Sequence, residues 1–263
     1  MTRPSVTEFV PILLQRVNLF KYLLETPADQ SELNRELDES RSTIYRGLKR
    51  LEENGLIEKQ DSVYQPTNYG ILVFKEYQRF ADTTNSLLDY KEIFDTKQPI
   101  GSLLHPSLLR DATILSMNDH MPDELYETLH ESVAEASFVY GIAPTIFSNQ
   151  VEPHLEKTTA DELTAEFILP SSGVEYFQSK FSDELETLLD TGNFSIQVCQ
   201  YTPPFGLVAV VEPIEKTVLV IHDEIGTVRG IIVSQNPEAI VWGRDTYQNF
   251  REECVSYDKF LDQ

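Results

Sequence analysis

The chain has 263 residues, 41% of them hydrophobic, with 14 Phe and 12 Tyr; this supports one large domain or two ordinary ones and excludes global disorder. A formal net charge of −22 argues against general affinity for nucleic acid, and no apolar run nears the ~18 residues of a membrane span. Cys199 and Cys254 lie far apart and match no metal or redox spacing, so a reduced, cytoplasmic protein without metal or cofactor is expected.

The charge is unevenly spread. Residues 1–68 hold 9 Lys/Arg against 11 Asp/Glu, and residues 69–263 hold 12 against 32. Such an excess of acid over lysine fits adaptation to high internal salt, or an acidic protein kept soluble by self-repulsion. Screening over ~8 Å or less leaves room for a local basic contact. Arg3 is followed by Glu8, Gln15 and Arg16 among apolar residues, which does not suit a signal peptide.

Val6, Phe9, Val10, Leu13, Val17, Phe20 and Leu24 recur every three or four residues, so residues 5–25 read as one amphipathic helix that Pro27 ends. Asp29 is the N-cap of a second helix, "SELNREL", with Leu33 and Leu37 facing in. Asp38 stands where a tight turn would want a left-handed residue. Ser40 caps a third helix with Ile44, Leu48 and Leu51 buried, and Asn54-Gly55 stops it. Helix, turn and helix in this order make a helix-turn-helix. The open face of the third helix then carries Arg41, Ser42, Thr43, Tyr45, Arg46, Lys49 and Arg50, with no acid between Ser40 and Leu51. Arg forks onto guanine, while Ser, Thr, Tyr and Lys reach phosphates or base edges, so these seven and the capping Ser40 are the candidate DNA contacts of the helix. "LIEKQDSVYQPT" follows as a hairpin wing, with Lys59, Gln60 and Ser62 placed to touch a DNA backbone.

"QSELNRELDESRSTIYRGLKRLEENGLIEK" resembles the winged helix-turn-helix of prokaryotic and archaeal transcription regulators, over residues 28–68. It departs from that pattern at Asp38, where a glycine is usual, and at Gly47, which costs about 1 kcal/mol against Ala inside a helix. Gly47 is either a site of close approach, to DNA or to a neighbouring helix, or a tolerated imperfection.

In residues 69–95, Val73, Tyr77, Phe80, Thr84, Leu87, Lys91 and Phe94 alternate steps of four and three, the spacing of a coiled-coil seam. The alternative to a homodimer helix is a helix packed on its own chain's second domain.

From residue 97 the pattern becomes strand–helix alternation. "ATILSM" is a strand, "PDELYETLHESVAEA" a helix, and "SFVYGIA" and "AEFILP" strands. A helix over 171–192 leads into four strands, "FSIQVCQ", "FGLVAVVE", "TVLVIHD" and "TVRGIIVS". A closing helix runs from Pro237 to about Leu261, with Ala239, Val241, Trp242, Tyr247 and Phe250 available for burial. The fold class is α+β: a winged head at 1–68, a linker helix at 69–96, and an α/β domain with a mixed sheet at 97–263.

"EFILPSSGVEYF", "TPPFGLVAVVE" and "GTVRGIIVSQNPEAIVWGRDTYQNFREE" resemble the C-terminal domain of haloarchaeal winged-helix regulators related to the TrmB-like and methanogenesis-regulator families. Their sheet is similar to the phospholipase D backbone, and the resemblance implies a sensor or oligomerisation module. The H-x-K-x-x-x-x-D chemistry of phospholipase D is missing: His154 comes nearest, but Lys157 is three residues on. His222 is flanked by Asp223 and Glu224 with no second histidine nearby, and reads as a strand-end turn. A non-catalytic chain is expected. Ser171 and Ser172 at a strand-to-helix junction, with Tyr201 and Phe205 in a proline loop, form a candidate effector pocket for an anionic or polyol ligand; a helix cap and a proline turn are the alternatives. The reading is a dimeric transcription regulator that binds a double-stranded DNA operator and is controlled through its C-terminal domain. The alternative is a winged-helix adaptor that docks on the transcription machinery.

Overall fold

The computed structural model describes residues 6–117, 123–146 and 148–262, so the start of the sixth helix, expected at Pro122, lies outside the described residues. The chain divides into two units, Met1–Ala81 and Asp82–Gln263.

In the first unit the expected helix over 5–25 is two: α1, Val6–Leu14, and α2, Val17–Glu25. Arg16 leaves helical geometry at φ −129°, ψ 19°, and its N–H bonds back to the Leu13 carbonyl at 2.9 Å. The break re-aims α2 so that Leu19, Phe20 and Leu23 join Leu13 in one core, while Leu24 remains 37% exposed. β1, Ala28–Asp29, is a short strand that the sequence pattern does not announce. Asp29 then caps α3, Gln30–Glu36, accepting from the N–H groups of Ser31 and Glu32 at 2.7 and 2.9 Å.

Asp38 is not left-handed: the chain leaves α3 through an extended Leu37 (φ −98°, ψ 134°), so the turn needs no glycine. Ser40 caps α4, Arg41–Glu53, by accepting from the Thr43 N–H at 3.2 Å. Gly55 at φ 70° ends it, with Leu56 N–H bonded to the Leu51 carbonyl and Gly55 N–H to that of Glu52. That pair of bonds satisfies carbonyls the helix leaves open. β2, Ile57–Gln60, and β3, Val63–Pro66, follow and form with β1 a sheet of order β1-β3-β2. α5, Asn68–Asp89, begins where Thr67 Oγ1 accepts from the Gly70 N–H at 2.9 Å. Phe74 of α5 stacks on Phe20 at 5.1 Å between centroids and closes the head core.

The division between units falls within α5, and the helix stops at Asp89, short of the expected 96. Lys91–Phe94 is a 3₁₀ turn, followed by two more at Ile100–Ser102 and Pro106–Leu109. The second unit continues with β4, Thr113–Ser116; α6, Asp123–Ala134; β5, Phe138–Ile142; and α7, Ser148–Thr159. It goes on with β6, Thr164–Pro170; α8, Ser171–Lys180; α9, Ser182–Asp190; and β7, Phe194–Cys199. β8, Gly206–Glu212; β9, Lys216–His222; β10, Val228–Ser234; and α10, Pro237–Glu252, come next. β11, Val255–Ser256, and α11, Tyr257–Leu261, close it.

Eight strands form one mixed sheet in the order β11-β7-β6-β5-β8-β9-β10-β4. β5, β6 and β7 are parallel; the other pairings are antiparallel. Side chains alternate between the faces as a strand requires. On β6, Ile168 joins the core under α10, while Ala165 and Leu169 join the core under α7, α8 and α9. On the α10 face Tyr247, fully buried, donates to Glu166 Oε1, Arg251 Nε donates to the same oxygen at 2.6 Å, and Tyr140 stacks on Tyr247 at 4.7 Å. Burial first, then this hydrogen bond, pushes the Tyr247 hydroxyl pKa far above the usual phenol range.

Three expectations for this unit are corrected. The helix over 171–192 breaks at Phe181 (φ −140°), whose ring packs edge-on to Phe177 and turns α9 onto α7. The closing helix stops at Glu252, because β11 then pairs with β7 and covers a sheet edge that would otherwise expose unpaired amides. That pairing brings Cys254 beside Cys199, and the two are joined in a disulfide rather than reduced. Of the α10 residues expected inside, Ala239 and Tyr247 are fully buried but Val241 is 58% exposed. Among the described residues no helix is long and apolar enough to cross a membrane.

Candidate nucleic-acid interface

α4 divides as its sequence pattern expects. Ile44, Leu48 and Leu51 are buried to 1% exposure or less, and Arg41, Ser42, Tyr45, Arg46, Lys49 and Arg50 are exposed on the other side. Tyr45, at 53% exposure, is a large aromatic held in water. Thr43 is half-buried and shares a 2.8 Å hydroxyl contact with Ser40, which also lies 3.0 Å from Ser42 Oγ. Ser40 is thus occupied as the cap, while Ser42 and Arg41 stand at the helix start. There the free N–H groups and the positive end of the helix dipole favour a phosphate. Arg46 Nε donates to the Ser42 carbonyl at 3.1 Å, which lays the guanidinium along the helix toward that end. Lys49 lies 3.8 Å from Glu53 with both side chains about 60% exposed, a weak pair that a phosphate can replace.

Gly47 is the position the sequence left open. It is buried, and a Cβ there would sit 2.8 Å from both Arg16 Cδ and Leu19 Cδ2. The close approach is therefore to α2, and it lets the recognition helix seat on its own core.

The wing is a two-residue hairpin turn. Asp61 and Ser62 take φ 47° and 77°, and Gln60 pairs with Val63 across it. Two positive φ values in succession match the twist of the flanking strands, and Asp is among the residues that tolerate them. Lys59, Gln60 and Ser62 are exposed at this end, with Lys59 Nζ over the Tyr64 ring at 5.2 Å. All eleven residues read as DNA contacts lie on α4, its cap or the wing, and ten keep exposed surface, Thr43 being half-buried.

The other two sets are dispersed. Along the expected seam, Val73 and Tyr77 pack on the head core and Phe94 on the core under α10, while Phe80 and Leu87 are 64% and 44% exposed and Thr84 is half-buried. Tyr69, Leu72, Phe80 and Leu87 are exposed and recur at helical spacings on a single face of α5, so the uncovered stripe is rotated from the one the heptad count selects.

Ser171 Oγ donates to the Cys199 carbonyl at 3.1 Å, and neither Ser171 nor Ser172 makes a cap bond at α8. Phe205 is fully buried. Tyr201 donates to Glu253 at 2.6 Å, and burial, then this bond, raises its pKa to about 12. Tyr201 borders a shallow cleft with Trp242 and Phe250 that neither serine lines. No group of three or more metal-ligating side chains occurs among the described residues.

A winged head with an exposed basic recognition helix, followed by a mixed-sheet α/β unit, defines a transcription regulator of the winged-helix class. The family described as "Methanogenesis regulatory protein FilR1, middle domain" matches residues 122–253, half of the chain, and the chain belongs to that family. The head, residues 6–87, matches the HVO_A0261 N-terminal domain. Both matches agree with the TrmB-like, methanogenesis-regulator resemblance in the sequence, and no curated protein matches the chain.

Similarity to solved structures is weak. The archaeal chromatin protein TrmBL2 has 11% identity and a TM-score of 0.44, with 95% of this chain and 99% of that one covered. NucT from Helicobacter pylori has 8% identity and 0.41, covering 56% and 99%. The Agobacterium tumefaciens repressor BlcR has 13% identity and 0.25, covering 93% and 97%.

Proposed function

We propose that the protein is a dimeric, sequence-specific regulator whose α4 enters the major groove of an operator while the wing lies on the adjacent backbone. The observation that carries this reading is the exposed face of α4: four cations, a tyrosine and a serine on a helix whose other face is fully buried. Arg41, Ser42, Tyr45, Arg46 and Lys49 supply base and phosphate contacts, Arg50 flanks them, and Lys59, Gln60 and Ser62 hold the backbone. The uncovered stripe on α5 supports pairing of two copies, which places two heads on a two-fold operator. In an acidic chain the second head doubles the basic contact. The C-terminal unit acts as sensor or oligomerisation module, without catalysis, in the cytoplasm of a cell whose internal salt matches the acidic surface. Chromatin immunoprecipitation with sequencing tests the reading: a few sharp palindromic peaks are expected, and diffuse or absent enrichment would replace it with the adaptor.

A further inference from the structure

A cavity of about 450 Å³ lies in the C-terminal unit between the sheet and helices α6 and α7. Its walls include Leu129, Val133, Ile146, Val151, Phe167 and Val208, all apolar. It lies toward the carboxyl end of β5, where the parallel strands give way to antiparallel β8 and β9 and the connections diverge. Ligands settle at such switch points in open α/β sheets, and the volume is that of a small-molecule site. The cavity is shaped by its backbone. A Cβ on Gly141 would come 2.1 Å from the Phe167 ring, so the glycine leaves the space that the edge of this ring fills in the wall. A Cβ on Gly226 would come within van der Waals contact of Thr145 Oγ1, so two different loops approach each other at its edge.

His222, at the last position of β9, lines this cavity at 5% exposure, and its Nε2 is buried without a hydrogen-bond partner among the described residues. Buried polar atoms are nearly always satisfied, so an orphan facing a cavity marks a place for a ligand group. Of the other polar lining residues, Lys157 Nζ donates to the Ala134 carbonyl, tying α7 to α6, the His154 ring sits edge-on to Phe167 at 5.6 Å, and His130, Thr145 and Glu156 are exposed to solvent. His222 Nδ1 lies 3.1 Å from the Asp223 carbonyl oxygen, which only accepts. Nδ1 therefore donates to that carbonyl, which leaves Nε2 as the unpaired nitrogen of a ring that lines the cavity.

We propose that this cavity binds a small, largely apolar molecule bearing one hydroxyl, whose O–H donates to His222 Nε2. A phenol or an alcohol of similar shape fulfils both requirements, since its body replaces water on apolar walls and its one donor satisfies the orphan. Binding at this site does not depend on DNA recognition; only its regulatory consequence rests on the function proposed above.

Titration calorimetry of the full chain without DNA, using 4-butylphenol and its methyl ether 4-butylanisole, tests the assignment. The phenol should bind about tenfold more tightly than the ether, because the ether leaves Nε2 unsatisfied. His222→Leu should bring the phenol down to the ether's affinity while ether binding persists. Ala143→Phe, which places a ring at the cavity loop, should weaken both ligands in a protein that melts like the wild type. Equal affinities in the wild type would overturn the proposal, as would tighter binding of 4-butylbenzoate or undiminished binding by Ala143→Phe. Failure here leaves the immunoprecipitation result untouched, so the two readings fail separately.

Discussion

Replacing Gly47 separates packing from recognition on the same helix. Alanine there gains about 1 kcal/mol of helix propensity. Its Cβ would stand 2.8 Å from Arg16 Cδ and Leu19 Cδ2, and Leu19 is fully buried. The Arg16 arm is flexible and can withdraw; the Leu19 methyl has little room, so part of an overpacking cost of about 1–3 kcal/mol is felt. The two effects nearly cancel, and Gly47→Ala should change stability by less than about 1 kcal/mol. Valine adds two methyl groups in the same direction and loses most of the propensity gain, so Gly47→Val should lose about 3 kcal/mol. With a urea m-value near ~1.5 kcal/mol/M for a small unit, the midpoint of the head's transition should fall by about 2 M. Circular dichroism of the full chain in urea reads this, and operator affinity per folded molecule should not change. An unchanged midpoint combined with weakened DNA binding would refute the reasoning, because it would mean the glycine faces DNA and not α2.

Other positions give further tests. Gly70→Ala should destabilise the head by about 2–4 kcal/mol, since the new Cβ would lie 1.9 Å from the Leu56 carbonyl oxygen, which already accepts from the Thr67 N–H; a urea titration checks it. Tyr247 and Tyr201 both have hydroxyl pKa values raised above the unfolded value near ~10. A raised folded-state pKa contributes stability that is full below pH ~10 and is lost as pH rises above it. Wild type should therefore lose more stability than Tyr247→Phe between about pH 10 and 12, read as the difference in thermal midpoints. Reducing the Cys199–Cys254 bond, which closes a separation of 55 residues, should cost about 2–4 kcal/mol and loosen β11 from β7; unfolding with and without dithiothreitol measures it.

The head was legible because its signals are local. Ser40, the Ile44-Leu48-Leu51 spacing and Asn54-Gly55 each act within one or two helical turns, and each appears in the structure in that role. The break at Arg16 was hidden because the apolar period continues through it, and only the shape of the core decides whether Leu23 or Leu24 turns inward. α7 carries Pro153 and a weak apolar pattern, so nothing in its sequence announces a helix. Cys199 and Cys254 meet only because β11 docks on β7, a long-range event that sequence spacing does not encode. The same limit hid the cavity, whose walls come from separate helices, strands and loops, and whose orphan nitrogen becomes notable only once burial is known. The heptad count on α5 found an apolar helix but not the side its own core would claim, because Val73 and Tyr77 were needed by the head.

The central claim is that the exposed face of α4 reads DNA, and affinity of the full chain for an immunoprecipitated operator fragment tests it most directly. In fluorescence anisotropy at fixed salt, Arg46→Ala should weaken binding by about 5- to 150-fold, equivalent to about 1–3 kcal/mol, with an unchanged circular dichroism spectrum. Unaltered affinity of a folded Arg46→Ala protein would contradict the account.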